Sequence, residues 1–109
     1  MASLSSKELK QFRAMAHQLR PVVIISGKGL STNVIGEVQR ALHDHELIKV
    51  KIALKDRSLR EGMICEICRK SDAFLVQRIG YIATFYRKNP NADPRKSNLQ
   101  LGSRLATNL

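Results

Sequence analysis

The sequence predicts an α/β protein of the two-layer α+β kind, with element order α-β-α-β-α-β-β and a mixed four-stranded sheet carrying its helices on one face. Three observations predict this. Capping patterns precede stretches whose apolar residues recur with helical period. Short runs rich in Val and Ile alternate with those stretches, the arrangement that makes βαβ units. Near the end, two such runs are separated only by Gly80-Tyr81, the spacing of a tight hairpin.

Each element has a local reason. Ser5-Ser6-Lys7-Glu8 holds a capping box, in which the Ser5 hydroxyl accepts from the start of a helix and Glu8 returns the bond. Leu9, Phe12, Ala16 and Leu19 follow at helical spacing, and Pro21 stops the helix because it has no N–H to donate and restricts the residue before it. Residues 22–25 form a short buried strand. Ser31 or Thr32 caps a second helix with Val34, Val38, Ala41 and Leu42 inward. Residues 47–54 alternate, with Ile48, Val50, Ile52 and Leu54 on one side and Lys49, Lys51 and Ala53 on the other. Ser58 and Glu61 read as a second capping box, opening a helix with Leu59, Met63, Ile64 and Ile67 inward. Residues 73–79 and 82–87 are the hairpin strands. Strands joined through helices should be parallel with right-handed crossovers, and the hairpin adds one antiparallel strand. Sheets covered on both faces have strands apolar on both sides. Lys49 and Lys51 break that rule, which implies one covered face and one partly open, basic face.

At 109 residues the chain has room for one compact domain, with 43% hydrophobic residues to fill its core. Asn89-Pro90-Asn91-Ala92-Asp93-Pro94 cannot continue a strand, so residues 1–88 read as the domain and 89–109 as a flexible basic tail. The formal charge of +10, from 19 Lys and Arg against 9 Asp and Glu, favours a polyanionic partner. No apolar run is long enough to span a bilayer, and the N-terminus lacks a signal-peptide core. A soluble cytoplasmic protein, monomeric and without a membrane partner, is the expectation.

The tetrapeptide Ser26-Gly27-Lys28-Gly29 lies between an apolar strand and a helix start. Its glycines let the backbone turn sharply and approach a ligand, and Lys28 adds a charge. Backbone N–H groups and the positive end of a helix dipole favour anions there, so the loop suits phosphate.

Several stretches carry a family resemblance: Ala16-His17-Gln18-Leu19-Arg20-Pro21-Val22-Val23, the glycine loop with Leu30-Ser31, Ala41-Leu42 with the run from His45 to Ile52, and Ile79-Gly80 with Phe85-Tyr86-Arg87. Across roughly positions 5–88 the chain resembles the YhbY family of small bacterial proteins made of one CRM domain. The resemblance implies a fold similar to the C-terminal domain of translation initiation factor three, with an added N-terminal helix. It also implies RNA binding, with bacterial members associated with precursors of the large ribosomal subunit. Separately, the sequence offers no nucleophile-base-orienter set, so no catalysis is expected. The family loop is Gly-x-x-Gly. Its first glycine falls on Ser26 and its second on Gly29, so a first glycine needed for positive φ would require a reshaped loop here. Where the family often has a basic residue after the hairpin glycine, this chain has Tyr81, which either stacks on a base or covers the core.

Other motifs are weaker. A Walker loop would need a glycine where Val22 stands and Ser or Thr after Lys28, and a dinucleotide fingerprint would need glycine at Thr32. Cys65 and Cys68 form a lone CxxC in mid-helix, away from the helix start that would activate a thiol, so both read as ordinary thiols. His43, Asp44, His45 and Glu46 sit where a helix meets a strand and read as a polar cap; no metal or cofactor is expected. Five aromatic residues without an RNP pattern point to phosphate and shape recognition over extensive base stacking.

The candidate RNA-binding residues are therefore Ser26, Gly27, Lys28 and Gly29 in the loop; Lys7, Lys10, Arg13 and Arg20 along the first helix; Lys49 and Lys51 on the open sheet; and Arg87 and Lys88 after the last strand. If the first helix runs antiparallel to the first strand, Lys7, Lys10 and Arg13 lie nearer the loop than Arg20. The expected function is RNA binding in assembly of the large ribosomal subunit. The alternatives are a ribosome-associated protein-interaction module and a small-nucleotide-binding protein using the same loop.

Overall fold

The computed structural model describes residues 3–27 and 29–99. The elements are α1 (Ser6–Ala16), β1 (Pro21–Ile25), α2 (Thr32–His45), β2 (Leu47–Ile52), α3 (Arg57–Ser71), β3 (Phe74–Ile79) and β4 (Ile82–Tyr86). The sheet order is β1-β2-β4-β3. β1 pairs in parallel with β2, aligning Ile25 with Ile52, while β4 runs antiparallel to both β2 and β3. The hairpin strand β4 therefore fills the space between β2 and β3, which are parallel but not adjacent.

Local chemistry explains the helix starts. Ser5 and Glu8 form the expected capping box, with bonds of 3.1 and 3.0 Å. The Ser31 hydroxyl accepts from Val34 N–H at 3.1 Å at the start of α2. At α3 the cap is Asp56, whose carboxylate accepts from Leu59 N–H at 3.1 Å. The expected Ser58–Glu61 box is corrected: Asp56 lies two residues earlier and is the better acceptor, which puts Leu59 in the first turn. Leu59 is accordingly 57% exposed and not inward, while Ile64 and Ile67 are buried.

Two apolar clusters hold the sheet. On one face Val23, Ile25, Ile48, Val50, Ile52, Ala83 and Phe85 pack against Val38 and Leu42 of α2 and Ile64 and Ile67 of α3. Each fully buried aliphatic side chain stabilises the fold by about 1.5–3 kcal/mol. On the other face Leu47, Val76 and Tyr86 pack against Phe12 and Ala16 of α1. Side chains alternate along a strand, so Leu47 and Ile48, or Tyr86 and Phe85, serve opposite clusters.

The expectation of all helices on one face is thus corrected. α2 and α3 share a face, but α1 lies on the other, because its apolar stripe matches the opposite side of β2, β3 and β4. The Phe12 ring stacks on Tyr86 with centroids 4.3 Å apart. β3 carries a bulge between Leu75 and Gln77, and Arg13 Nε donates to the Val76 carbonyl there at 3.3 Å. α1 covers only part of its face. Beyond it Val22 and Ile24 are exposed at 50% and 65%, and Ile79 at 67%.

Residues 89–99, read from sequence as the start of a flexible tail, are tied to the end of α2. Glu46 is buried, has φ of 62°, and accepts from Asn89 N–H and Ser97 Oγ–H, each at 2.8 Å. Asn89 Nδ2 donates to the His43 carbonyl at 2.7 Å, and Asn98 Nδ2 donates to the Leu47 carbonyl at 2.6 Å. Leu99 packs on the α1 cluster. The remainder of the expected tail, residues 100–109, lies outside the described residues.

Replacing Glu46 by Ala should cost about 2–3 kcal/mol, because two donors to a charged acceptor lose their partner. Urea denaturation measures this, and limited proteolysis should show earlier cleavage within residues 89–99. Tyr86 supplies a second expectation. Burial pushes its hydroxyl above the usual tyrosine value, with the Glu46 and Glu8 charges adding to the effect. A group whose folded value is raised stabilises the fold fully below its unfolded value of about 10, and that stabilisation is lost as pH rises through the folded value. Tyr86→Phe should therefore lose less stability than wild type as pH rises above about 10, and equal losses would contradict this account.

Candidate nucleic-acid interface

The β1–β2 pair determines where the glycine loop lies. It follows the C-terminal end of β1, beside the end of β2, where Ala53 N–H donates to the Ile25 carbonyl at 2.8 Å. In open α/β sheets this carboxyl end of parallel strands is where ligands bind. Gly29 N–H donates to the Ser26 carbonyl at 3.0 Å and closes a tight turn. Among the described residues of the loop, positive φ falls on Gly29, at 79°. Ser26 has no positive φ, so placing serine where the family has its first glycine introduces no backbone strain. A Cβ on Gly27 would meet nothing within 4 Å, so this part of the loop is open. Lys28 lies outside the described residues.

The starts of α2 and α3 reach the same end, because α2 follows β1 and α3 follows β2. Neither has an acidic residue in its first turn, whereas α1 has Glu8. The N-terminus of α1 is therefore neutralised by its own capping box, while α2 begins from the uncharged Ser31 beside the glycine loop. The exposed N–H groups and dipole of that start favour an anion. Asp56, the cap of α3, contributes one carboxylate to the same end.

Cations that sequence reasoning did not select complete this end. Lys55 and Arg57 are exposed. Arg60 Nη1 donates to the Leu54 and Lys55 carbonyls at 2.6 and 2.9 Å, and its guanidinium lies 4.9 Å from the centroid of the Tyr81 ring. Arg78 is paired with Glu61. Arg57, Arg60, Glu61, Ile64, Arg78 and Gly80 line a cleft of about 270 Å³. The missed signal was Asp56. Recognising it as the cap would have placed Arg57 and Arg60 at the α3 start, at the same end of the sheet as the loop.

The remaining sequence-selected residues separate into three groups. Lys49 and Lys51 lie on the partly open face, and Lys49 lines a groove of about 210 Å³ with His17, Gln77, Ile79, Ile82 and Thr84. Arg87 and Lys88 follow β4 at the opposite end of the sheet from the loop. Arg87 is largely structural: its guanidinium donates to the Ser71 carbonyl at 3.0 Å and the Gln39 carbonyl at 3.1 Å, joining the last residue of α3 to the middle of α2. Lys7, Lys10 and Arg20 are exposed. Lys7 and Lys10 precede Phe12, which packs at the Tyr86 end, whereas His17 reaches the open face. The proposed weighting of Lys7, Lys10 and Arg13 above Arg20 is therefore not supported by the packing of α1.

The other titratable motifs have local partners. His45 Nδ1 meets the Lys96 carbonyl at 2.7 Å, and His43 Nδ1 lies 3.4 Å from Asp44. No cluster of three or more His, Cys, Asp and Glu side chains suited to a metal occurs among the described residues. Cys65 is exposed, and burial pushes the partly buried Cys68 thiol up, with Cys65 adding to the shift, opposite to the shift that activates a redox cysteine.

A three-helix mixed α/β fold with a four-stranded sheet, carrying a glycine turn, two helix starts and arginines at one end, defines a small single-sheet α/β module. The chain belongs to the CRS1 / YhbY (CRM) domain family, whose model matches residues 4–87. It is 45% identical over 97 residues to a probable RNA-binding protein of Pseudomonas aeruginosa, covering 89% of this chain and 93% of that protein. It is 42% identical over 99 residues to an RNA-binding protein of Haemophilus influenzae, covering 88% of this chain and all (100%) of that protein. The solution structure of a hypothetical Staphylococcus aureus protein matches with a TM-score of 0.73 at 25% identity, covering 84% of this chain and 95% of that one.

The two loop glycines should respond differently to substitution. Gly29→Ala places a Cβ on a left-handed backbone and should cost about 1–2 kcal/mol, whereas Gly27→Ala should change stability by less than about 0.5 kcal/mol. Paired denaturation curves check this, and equal costs would contradict the observed turn.

Proposed function

We propose that this chain is a non-catalytic RNA-binding protein that acts on large-subunit ribosomal RNA or its precursor during ribosome assembly, as a cytoplasmic monomer. The observation that carries RNA binding is the convergence at one end of the sheet of the glycine turn, the α2 N-terminus and the Lys55, Arg57 and Arg60 side chains. The turn and helix start suit a backbone phosphate, and the cations suit its neighbours along the strand. The net charge of +10 and relatives named as RNA-binding proteins support the same class of partner. The ribosomal target is supported by the family resemblance of the sequence.

Phosphate contacts dominate in this reading, with Lys49 and Lys51 available to an RNA backbone crossing the open face. A second reading has one specific observation in its favour. Val22, Ile24 and Ile79 are exposed on that face, which suits a protein partner and would make this a ribosome-associated interaction module.

Salt separates the two readings. Roughly six to ten phosphate contacts should weaken RNA binding by about three to five decades between roughly 50 and 200 mM salt, and a flat response would remove the phosphate grip. In-cell crosslinking and sequencing tests the target. Wild-type reads should concentrate on one region of large-subunit RNA and fall in Lys28→Glu and Arg57→Glu. Reads scattered over unrelated RNAs would overturn the ribosomal assignment.

A further inference from the structure

We infer that the Arg60–Tyr81 pair is a stacking platform for one unpaired base of the RNA, set beside the phosphate grip of the glycine loop. The inference rests on the RNA-binding reading and deepens it, because it selects RNA with an extruded or single-stranded nucleotide over a continuous duplex.

Tyr81 belongs to neither apolar cluster and is 45% exposed at the tip of the β3–β4 hairpin. A large aromatic ring left at a two-residue turn is not needed to form that turn. The turn conformation comes from Gly80, at φ of 58°, and the backbone is fixed because Ile52 N–H donates to the Tyr81 carbonyl at 2.7 Å. The side chain is therefore presented from a rigid base.

Arg60 completes the platform. Its guanidinium lies 4.9 Å from the Tyr81 ring centroid, and its hydrogen bonds go to the Leu54 and Lys55 carbonyls. No carboxylate pairs with it among the described residues, so its charge is held in place without being neutralised. With Arg60 against one side of the ring, a base stacks on the other, and the cation strengthens binding of the flanking phosphate. Arg57 and Arg78 line the adjoining cleft, where Glu61 is the one acid among the described lining residues and is paired with Arg78.

Placement next to the loop follows from the sheet. The end of β2 is hydrogen-bonded to Ile25 on one side and to Tyr81 on the other. Two strand spacings, about 10 Å, therefore separate the glycine loop from the hairpin tip. A base can reach an aromatic face only when it is unstacked from its neighbours, which A-form duplex RNA does not offer.

The test uses the full chain and two pools of random-sequence RNA hairpins, one fully paired and one with a single unpaired 2-aminopurine in the stem. Wild type should bind the bulged pool roughly ten-fold more tightly than the paired pool and quench the 2-aminopurine fluorescence. Tyr81→Ala should bring the two affinities together and abolish the quenching, while Tyr81→Phe should retain both effects; circular dichroism verifies folding. Wild-type preference that survives Tyr81→Ala, or no preference at all, overturns the platform and leaves the phosphate grip standing. Failure of wild type to bind either pool at low salt overturns the RNA reading and the platform together.

Discussion

The parallel pairing of β1 with β2 is the constraint on which the rest of the molecule depends. Parallel neighbours cannot be joined by a tight turn, so the chain must cross back through α2 before β2 can form. That crossover leaves the glycine loop at the carboxyl end of β1 and brings the start of α3 to the adjoining end of β2. The Ile25–Ile52 register and the Ala53 N–H bond to Ile25 hold the two ends level. A slip of one residue would turn Ile48, Val50 and Ile52 out of the α2–α3 core and break the site with it.

Electrostatics at the two ends of the sheet differ because the caps differ. α1 consumes its own N-terminal charge through Glu8, whereas α2 starts from Ser31 with no acid in its first turn. At the opposite end, Glu46 and Arg87 use their charges within the protein itself, Glu46 holding residues 89–97 and Arg87 tying the middle of α2 to the end of α3. Charged side chains thus have two distinct duties. Those at the far end fasten the fold, and Lys55, Arg57 and Arg60 leave the loop end positive.

Much of this was legible in the sequence wherever a local pattern and the tertiary packing agreed. The Ser5–Glu8 box, the Ser31 cap, the alternation through Ile48, Val50 and Ile52 and the Gly80-Tyr81 turn all belong to that class. The side of the sheet taken by α1 was not legible, since Phe12 and Ala16 define a stripe but not the surface that receives it. That surface is assembled from Leu47, Val76 and Tyr86 on three separate strands. The α3 start was missed because Ser58 and Glu61 imitate a capping box while Asp56 supplies the bond. Arg87 read as a surface cation because nothing in its neighbours announces the two carbonyls it reaches, 16 and 48 positions away.

β1 is an edge strand of five residues that opens with Pro21 and shows Val22 and Ile24 to solvent. Such an edge can recruit a second copy of itself, and proteins guard against this with short strands, proline and lysine. Pro21 is aligned with Lys49 and Ile24 with Lys51, so two lysines of the neighbouring strand flank this edge on the open face. The edge is guarded by its own shortness and by Pro21, whose missing N–H takes one donor out of any ladder a further strand could form, so the glycine loop is held by a strand that resists being extended.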